Sequence, residues 1–320
     1  MMRVFVTGAN GFIGTAVIQE LIQAGHQVTG LVRSTEGAHK LTALGATAQQ
    51  GNVESVEDLR RGVDNADGVI HTAFFHKFSH ASLSTRVKIV LGGNPRHAAS
   101  RFMAIATETD RRAIETLGKA LSGEDRSLVM AFPTMALRAG SLATENDPSD
   151  PQSVGGGRTI SETTTLTLAN HGVRSSVIRI APLVHGIGDQ SGLLPTLISI
   201  ARKKGVSAYV ADGANRWPAV HRLDTARLFR LALEHASAGS IFHAVGEEGV
   251  PFRDIAHAIG RYLNIPVSSI KKEQAGSHFG WLGAFVSVDN YVSSAFTQER
   301  LDWKIQHPDL FTDMEHSHYF

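Results

Sequence analysis

The stretch Arg3-Val4-Phe5-Val6-Thr7-Gly8-Ala9-Asn10-Gly11-Phe12-Ile13-Gly14 decides how the rest of the chain is read. Arg3 to Thr7 is short, β-branched and aromatic, the composition of a buried parallel strand. From Phe12 to Ala24 the apolar residues Ile13, Val17, Ile18, Leu21 and Ile22 recur at helical spacing, and Gly25 stands where a helix C-cap glycine belongs. The glycines therefore occupy a strand-to-helix turn. Gly8 permits a sharp turn, Gly11 lets the backbone approach a pyrophosphate, and Gly14 permits close helix–strand packing. The N–H groups and dipole of the helix N-terminus then face the phosphates. The spacing Gly-x-x-Gly-x-x-Gly in this context predicts a dinucleotide cradle built from Gly8, Asn10, Gly11, Phe12, Ile13 and Gly14.

Working outward, Gln27-Val28-Thr29-Gly30-Leu31-Val32 reads as the second strand and is followed by Arg33-Ser34. A cofactor with free ribose hydroxyls calls for an acidic residue here. Arg33 instead offers a fork for a 2′-phosphate, which points to NADP, with a solvated surface arginine as the alternative. Strands near Ala46–Gln50, Gly68–Thr72, Ser127–Ala131 and Ser175–Ile180 alternate with helical stretches. The pattern predicts an α/β, Rossmann-type doubly wound parallel sheet. After Ala181 the rhythm changes to short helices, isolated strands and loops, the pattern of a smaller C-terminal substrate-binding lobe. The expected division is residues 1–180 as NADP-binding domain, with 216–247 returning to it, and 181–215 with 248–320 as the substrate lobe. Ser79 to Ser100 carries Gly92-Gly93-Asn94-Pro95 and a mixed basic sequence, and reads either as a lid or as a solvated insertion. Thr144 to Gly157 is a loop by its Asp, Pro, Ser and Gly content.

The chain has 320 residues and a formal net charge of +1, with acidic and basic residues interspersed. Nothing in that balance suggests nucleic acid or an anionic membrane. It has no cysteine, which excludes disulfides, thiol catalysis and thiolate metal sites. No apolar run is long enough to span a bilayer, and the first strand stands where a signal peptide would be. A cytoplasmic protein is the expectation.

Several segments resemble the extended short-chain dehydrogenases/reductases, the epimerase/dehydratase-like group. Thr7 to Gly14 is similar to the opening of that family. Gly68-Val69-Ile70-His71-Thr72-Ala73 is similar to its fourth strand, which implies that Thr72 and Ala73 line the adenosine side. Arg179-Ile180-Ala181-Pro182-Leu183-Val184-His185-Gly186-Ile187-Gly188-Asp189 resembles the segment after its sixth strand, implying nicotinamide contacts from Pro182 and Val184. Trp217-Pro218-Ala219-Val220-His221-Arg222-Leu223-Asp224 resembles its valine-histidine-aspartate signature. The sequence also departs from the family. Asn52, beside Val53, stands where an acidic residue usually holds adenine. Thr134 is the one hydroxyl after the fifth strand, where a catalytic Ser or Thr is usual. The family's Tyr-x-x-x-Lys is absent: Arg158 falls at the tyrosine position and Glu162 at the lysine position. None of Tyr209, Tyr262, Tyr291 and Tyr319 has a lysine four residues on.

Carbonyl reduction needs a hydride and a proton. Arginine, with a pKa above ~12, is a poor acid but a good oxyanion clamp. Glu162, one helical turn after Arg158, reads as its pairing partner. His76, His185 and Thr134 are the candidate replacement donors. His71, His76 and His80 lie on one stretch without ligand spacing or a carboxylate, so no metal is expected. Trp217, Phe279, Trp281, Phe285 and Phe296 line an apolar substrate pocket or fill a core. The leading expectation is an NADP-dependent oxidoreductase acting on a small apolar carbonyl or alcohol. The other is a non-redox isomerase, lyase or cyclase on the same fold that keeps the cofactor structurally or not at all. A homodimer through helices of the Rossmann half is implied by the resemblance alone.

Overall fold

A computed structural model describes residues 1–75, 78–94, 97–316 and 318–320. The chain forms two compact units, Met1–Phe132 with Gly157–Ile178 and Ala226–Ile241, and Pro133–Gly156 with Arg179–Thr225 and Phe242–Phe320. The first unit takes back a shorter stretch than the expected 216–247, because Arg216–His221 pairs in a separate three-stranded sheet.

The first half alternates β1 (Arg3–Thr7), α1 (Phe12–Gln23), β2 (Gln27–Val32), α2 (Thr35–Ala43), β3 (Thr47–Gln50), α3 (Val56–Val63) and β4 (Gly68–His71). It continues with α4 (Leu83–Leu91), α5 (Ala98–Leu121), β5 (Ser127–Pro133), α6 (Thr159–Thr167) and β6 (Arg174–Ile180). The later elements are β7 (Leu183–His185), α7 (Leu193–Lys204), β8 (Ser207–Val210), β9 (Arg216–His221), α8 (Arg222–His235) and β10 (Ser240–Ala244). They end with β11 (Glu247–Pro251), α9 (Phe252–Leu263), β12 (Val267–Ile270), α10 (Ala275–Phe279), α11 (Ala295–Leu301) and α12 (Leu310–Met314).

The main sheet has seven strands in the order β10-β6-β5-β4-β1-β2-β3. β1 pairs in parallel with β2 on one side and with β4 on the other, so the strand order reverses between β1 and β4. Such a reversal opens a crevice at the carboxyl edge. The register Thr7↔His71 and His71↔Met130 brings the ends of three strands level along that edge. β1 and β4 are buried on both faces, as continuous apolar runs in a covered parallel sheet should be.

Part of the segment expected as a lid or a solvated insertion is helical. α4 fills its middle, capped by Ser82, whose hydroxyl accepts from the Thr85 amide at 3.3 Å. Glu54 accepts the Ser82 amide at 2.8 Å, and Thr85 and Ile89 turn inward while α4 packs on α5. The sequence hid this helix because its apolar residues point both ways.

In the second unit β9 pairs in parallel with β7 and antiparallel with β11, and β8 pairs with β12. Trp217 and Phe252 meet edge to face at 5.0 Å inside a core that also takes Phe279 and Leu282. Of the aromatics expected to line a pocket, Trp217 and Phe279 are therefore core, Phe285 packs against it, and Trp281 and Phe296 are exposed.

The tightest helix–strand contact is at Gly14, where an added Cβ would lie 2.1 Å from the Gly8 carbonyl oxygen. Gly14→Ala should therefore cost about 1–3 kcal/mol, the usual range for overpacking, read as a lower urea midpoint at unchanged slope.

Candidate active site

At the switch point the chain leaves β1 through Gly8, which takes φ +70°. A Cβ there would also meet the Thr72 hydroxyl at 2.6 Å and the Ala73 amide at 2.8 Å. Thr72 locks this corner by donating from its hydroxyl to the Thr7 carbonyl at 2.8 Å. Gly11 is the N-cap of α1 and makes no side-chain cap. A Cβ on Gly11 would meet only the Gly8 carbonyl, at 3.1 Å, so the outer face of the turn is open while its inner face is filled by protein. The amides of Ile13 and Gly14 have no carbonyl within their own helix to bond. These features fit a pyrophosphate.

Around the turn, Asn10 is exposed, and its side-chain nitrogen would be 3.0 Å from a Cβ on Gly37 at the start of α2. Arg33 is exposed at the carboxyl end of β2. Ser34 caps α2, accepting the Gly37 amide at 3.1 Å. Asn52 is half-buried and already exchanges hydrogen bonds with Glu54: its amide donates to the Glu54 carboxylate at 3.0 Å and its carbonyl accepts the Glu54 amide at 3.1 Å. Val53 and Ala73 line a shallow recess with Phe74, Ala106, His71 and Asp110.

Beneath that recess runs a buried polar chain. The Asp110 carboxylate is held at about pKa 2: burial alone would raise it, but the Arg158 guanidinium and then the His71 hydrogen bond override burial. Asp110 is thus anionic, so His71 donates from Nε2 to Asp110 Oδ1 at 3.2 Å. On the other side of the ring, His71 Nδ1 lies 2.7 Å from the Thr7 hydroxyl. Arg158, the N-cap residue of α6, donates from Nη2 to Asp110 Oδ2 at 3.1 Å and to the Ala131 carbonyl at 3.0 Å. Its guanidinium lies over the Phe74 ring at 4.1 Å, a cation–π contact. Its Nε is buried without a hydrogen-bond partner. The sequence pointed to Glu162 as partner of Arg158. The structure brings in Asp110, which nothing in the local spacing marks.

The other candidates lie in the second unit, except His76, which falls outside the described residues. Thr134 is fully buried and donates to Asn290 Oδ1 at 2.8 Å, while the Asn290 amide returns a bond to the Thr134 carbonyl. That hydroxyl is committed to holding the loop after β5. Pro182 and Val184 are half-buried beside His185 on β7. His185 is buried, its Nδ1 is 2.9 Å from Asp313 Oδ2, and its Nε2 has no partner.

The edge of the His185 ring meets His221, which stacks on His307 at 4.8 Å. His307 Nδ1 is 2.8 Å from Asp224 Oδ1. The sequence reading weighed only the histidines at 71, 76 and 80, whereas ligand atoms of His221, Asp224 and His307 lie within 4.8 Å of one another. Both Asp224 oxygens accept from the 306–307 segment, and His221 Nδ1 accepts the Leu223 amide at 3.2 Å. The cluster therefore reads as a hydrogen-bonded clasp.

Two measurements check these assignments. Asp110→Asn strands the buried guanidinium and should cost about 3–5 kcal/mol, with part of it restored by adding Arg158→Met, as a double-mutant denaturation cycle would show. His221 is pushed down to about pKa 4 by burial and then by its histidine neighbours. The unfolded chain binds that proton first, so the contribution of His221 is complete above its ordinary pKa and is lost as the pH falls toward 4. His221→Gln should flatten the stability–pH curve between about 6.5 and 4 relative to the parent, and an unchanged slope would count against the assignment.

The chain is similar to known proteins. An NAD(P)H-binding family model matches residues 8–131. An uncharacterized protein of Schizosaccharomyces pombe is 46% identical over the whole of both chains. A decarboxylating sterol-4-alpha-carboxylate 3-dehydrogenase of Dictyostelium discoideum is 27% identical, covering 79% of this chain and 74% of that one. The dTDP-glucose 4,6-dehydratase of Streptomyces venezuelae, solved with NAD bound, superposes with TM-score 0.75 at 18% identity, covering 98% of this chain and 96% of that one. The chain belongs to the extended short-chain dehydrogenase/reductase family, in its epimerase/dehydratase-like group, and its first unit carries the NAD(P)-binding domain.

Proposed function

We propose that this chain is an NADP-dependent oxidoreductase that interconverts an apolar carbonyl compound and its alcohol. The observation that carries the reading is Arg158: a largely buried cation just beyond the carboxyl end of β5, at the family's tyrosine position, with an uncommitted Nε–H. When bound, the nicotinamide supplies or accepts the hydride. Arg158 stabilises the negative charge that builds on the carbonyl oxygen, with Asp110 fixing the guanidinium in place. It does not donate the proton, since arginine is a poor acid. Within the second unit, Asp313 orients the His185 ring through Nδ1 and leaves Nε2 without a partner, the arrangement of a proton carrier. Phe74 and Phe132, beside the guanidinium, favour an apolar substrate, in keeping with the sterol named for the Dictyostelium relative. Arg33 supports NADP over NAD, because a guanidinium pairs with a 2′-phosphate.

The fixed charge at Arg158 also favours a second reading, a non-redox isomerase, lyase or cyclase in which Arg158 polarises the substrate and the cofactor is structural or dispensable. Turnover that survives complete cofactor removal separates it from the first.

In calorimetric titrations NADP⁺ should bind at least about tenfold more tightly than NAD⁺, and Arg33→Ala should remove the difference. Equal affinities in the parent would contradict the assignment. Arg158→Lys should lower kcat about 10²-fold while the protein stays folded.

A further inference from the structure

From Gly68 to Thr107 the chain contains Lys77, Arg86, Lys88, Arg96 and Arg101 and no aspartate or glutamate. The whole-chain balance of charge conceals this run. α4 lies in its middle. Thr85 and Ile89 face inward, whereas Leu83, Val87, Val90 and Leu91 occupy the opposite face at i, i+4, i+7 and i+8. They are exposed by 76%, 47%, 56% and 77% of their surface. Phe78 just before α4 and Met103 on α5 are exposed as well. A helix that is apolar on both faces is normally covered on both.

The charges say what covers the outer face. Arg86 donates to the Ala81 and Ser79 carbonyls at 2.9 and 2.8 Å, and Arg101 to those of Ile89 and Asn94 at 3.0 and 2.8 Å. Carbonyls satisfy the N–H groups without neutralising the cations. Among the described residues no carboxylate pairs with Arg86, Lys88 or Arg101. Glu54, the acid beside α4, is committed to the helix start through Ser82. A second copy meeting this face about a two-fold axis would set like charge against like. An anionic lipid surface answers both features, taking the leucines among its acyl chains and the cations at its headgroups.

We propose that the outer face of α4, with Phe78 and Met103 beside it, docks the protein on an anionic membrane surface. This is peripheral binding: among the described residues no helix is long and apolar enough to cross a membrane.

The test is co-sedimentation of the full chain with phosphatidylcholine vesicles and with the same vesicles containing phosphatidylserine. The protein should partition onto the phosphatidylserine vesicles and far less onto the neutral ones, and added salt should release it. Leu83→Glu and Leu91→Glu, both at exposed positions, should each lower the partition coefficient roughly tenfold or more while melting at the parent temperature. Lys88→Glu should lower it by a smaller factor. Absence of binding to the phosphatidylserine vesicles, or undiminished binding of the two leucine variants, would overturn the proposal. So would a vesicle-free dimer that Leu91→Glu dissolves, since it would assign the face to a second copy.

Discussion

The first unit depends on how closely α1 approaches the end of β1. With Gly14 against the Gly8 carbonyl, there is no space for even a methyl group between helix and turn. That contact holds the N-terminus of α1 at the reversal point of the sheet, beside the start of the segment that follows β4. A side chain at Gly8 or Gly14 would push the helix away, and the amides facing the crevice would lose their convergence. The open side of Gly11 is the counterpart: the turn is filled where the protein needs contact and empty where a phosphate fits.

The second determinant is electrostatic. In this chain the Arg158 guanidinium is fixed by a buried carboxylate, that of Asp110. Asp110 orients the Arg158 guanidinium through Oδ2, His71 bonds its other carboxylate oxygen, and Thr7 in turn bonds His71 from the end of β1. A buried ion pair of this kind is weak as a source of stability but effective as a means of placing charge.

Much of the fold was legible in the sequence because parallel strands buried on both faces leave uninterrupted apolar runs, and the glycine turn between β1 and α1 has a fixed meaning. The cradle residues Gly8, Gly11 and Gly14 follow from the same logic. What stayed hidden depends on tertiary placement. Asp110 sits in the interior of α5 with no local signal that it faces His71 and Arg158. The bond between Thr134 and Asn290 links residues 156 positions apart. α4 escaped notice because its apolar residues point both inward and outward, which erases the periodicity by which a surface helix is recognised. The clasp of His185, His221 and His307 draws on three separate elements, so no spacing in the chain announces it.

In the proposed function Arg158 supports hydride transfer to a carbonyl without a tyrosine. The most direct measurement is turnover of apolar ketones with NADPH deuterated at the transferable position, followed by mass spectrometry of the alcohol. The account predicts one deuterium on the carbinol carbon, with transfer severely slowed in Arg158→Met and the protein still folded. Product formation with no deuterium incorporated and no cofactor oxidised would contradict it and leave the non-redox reading in its place.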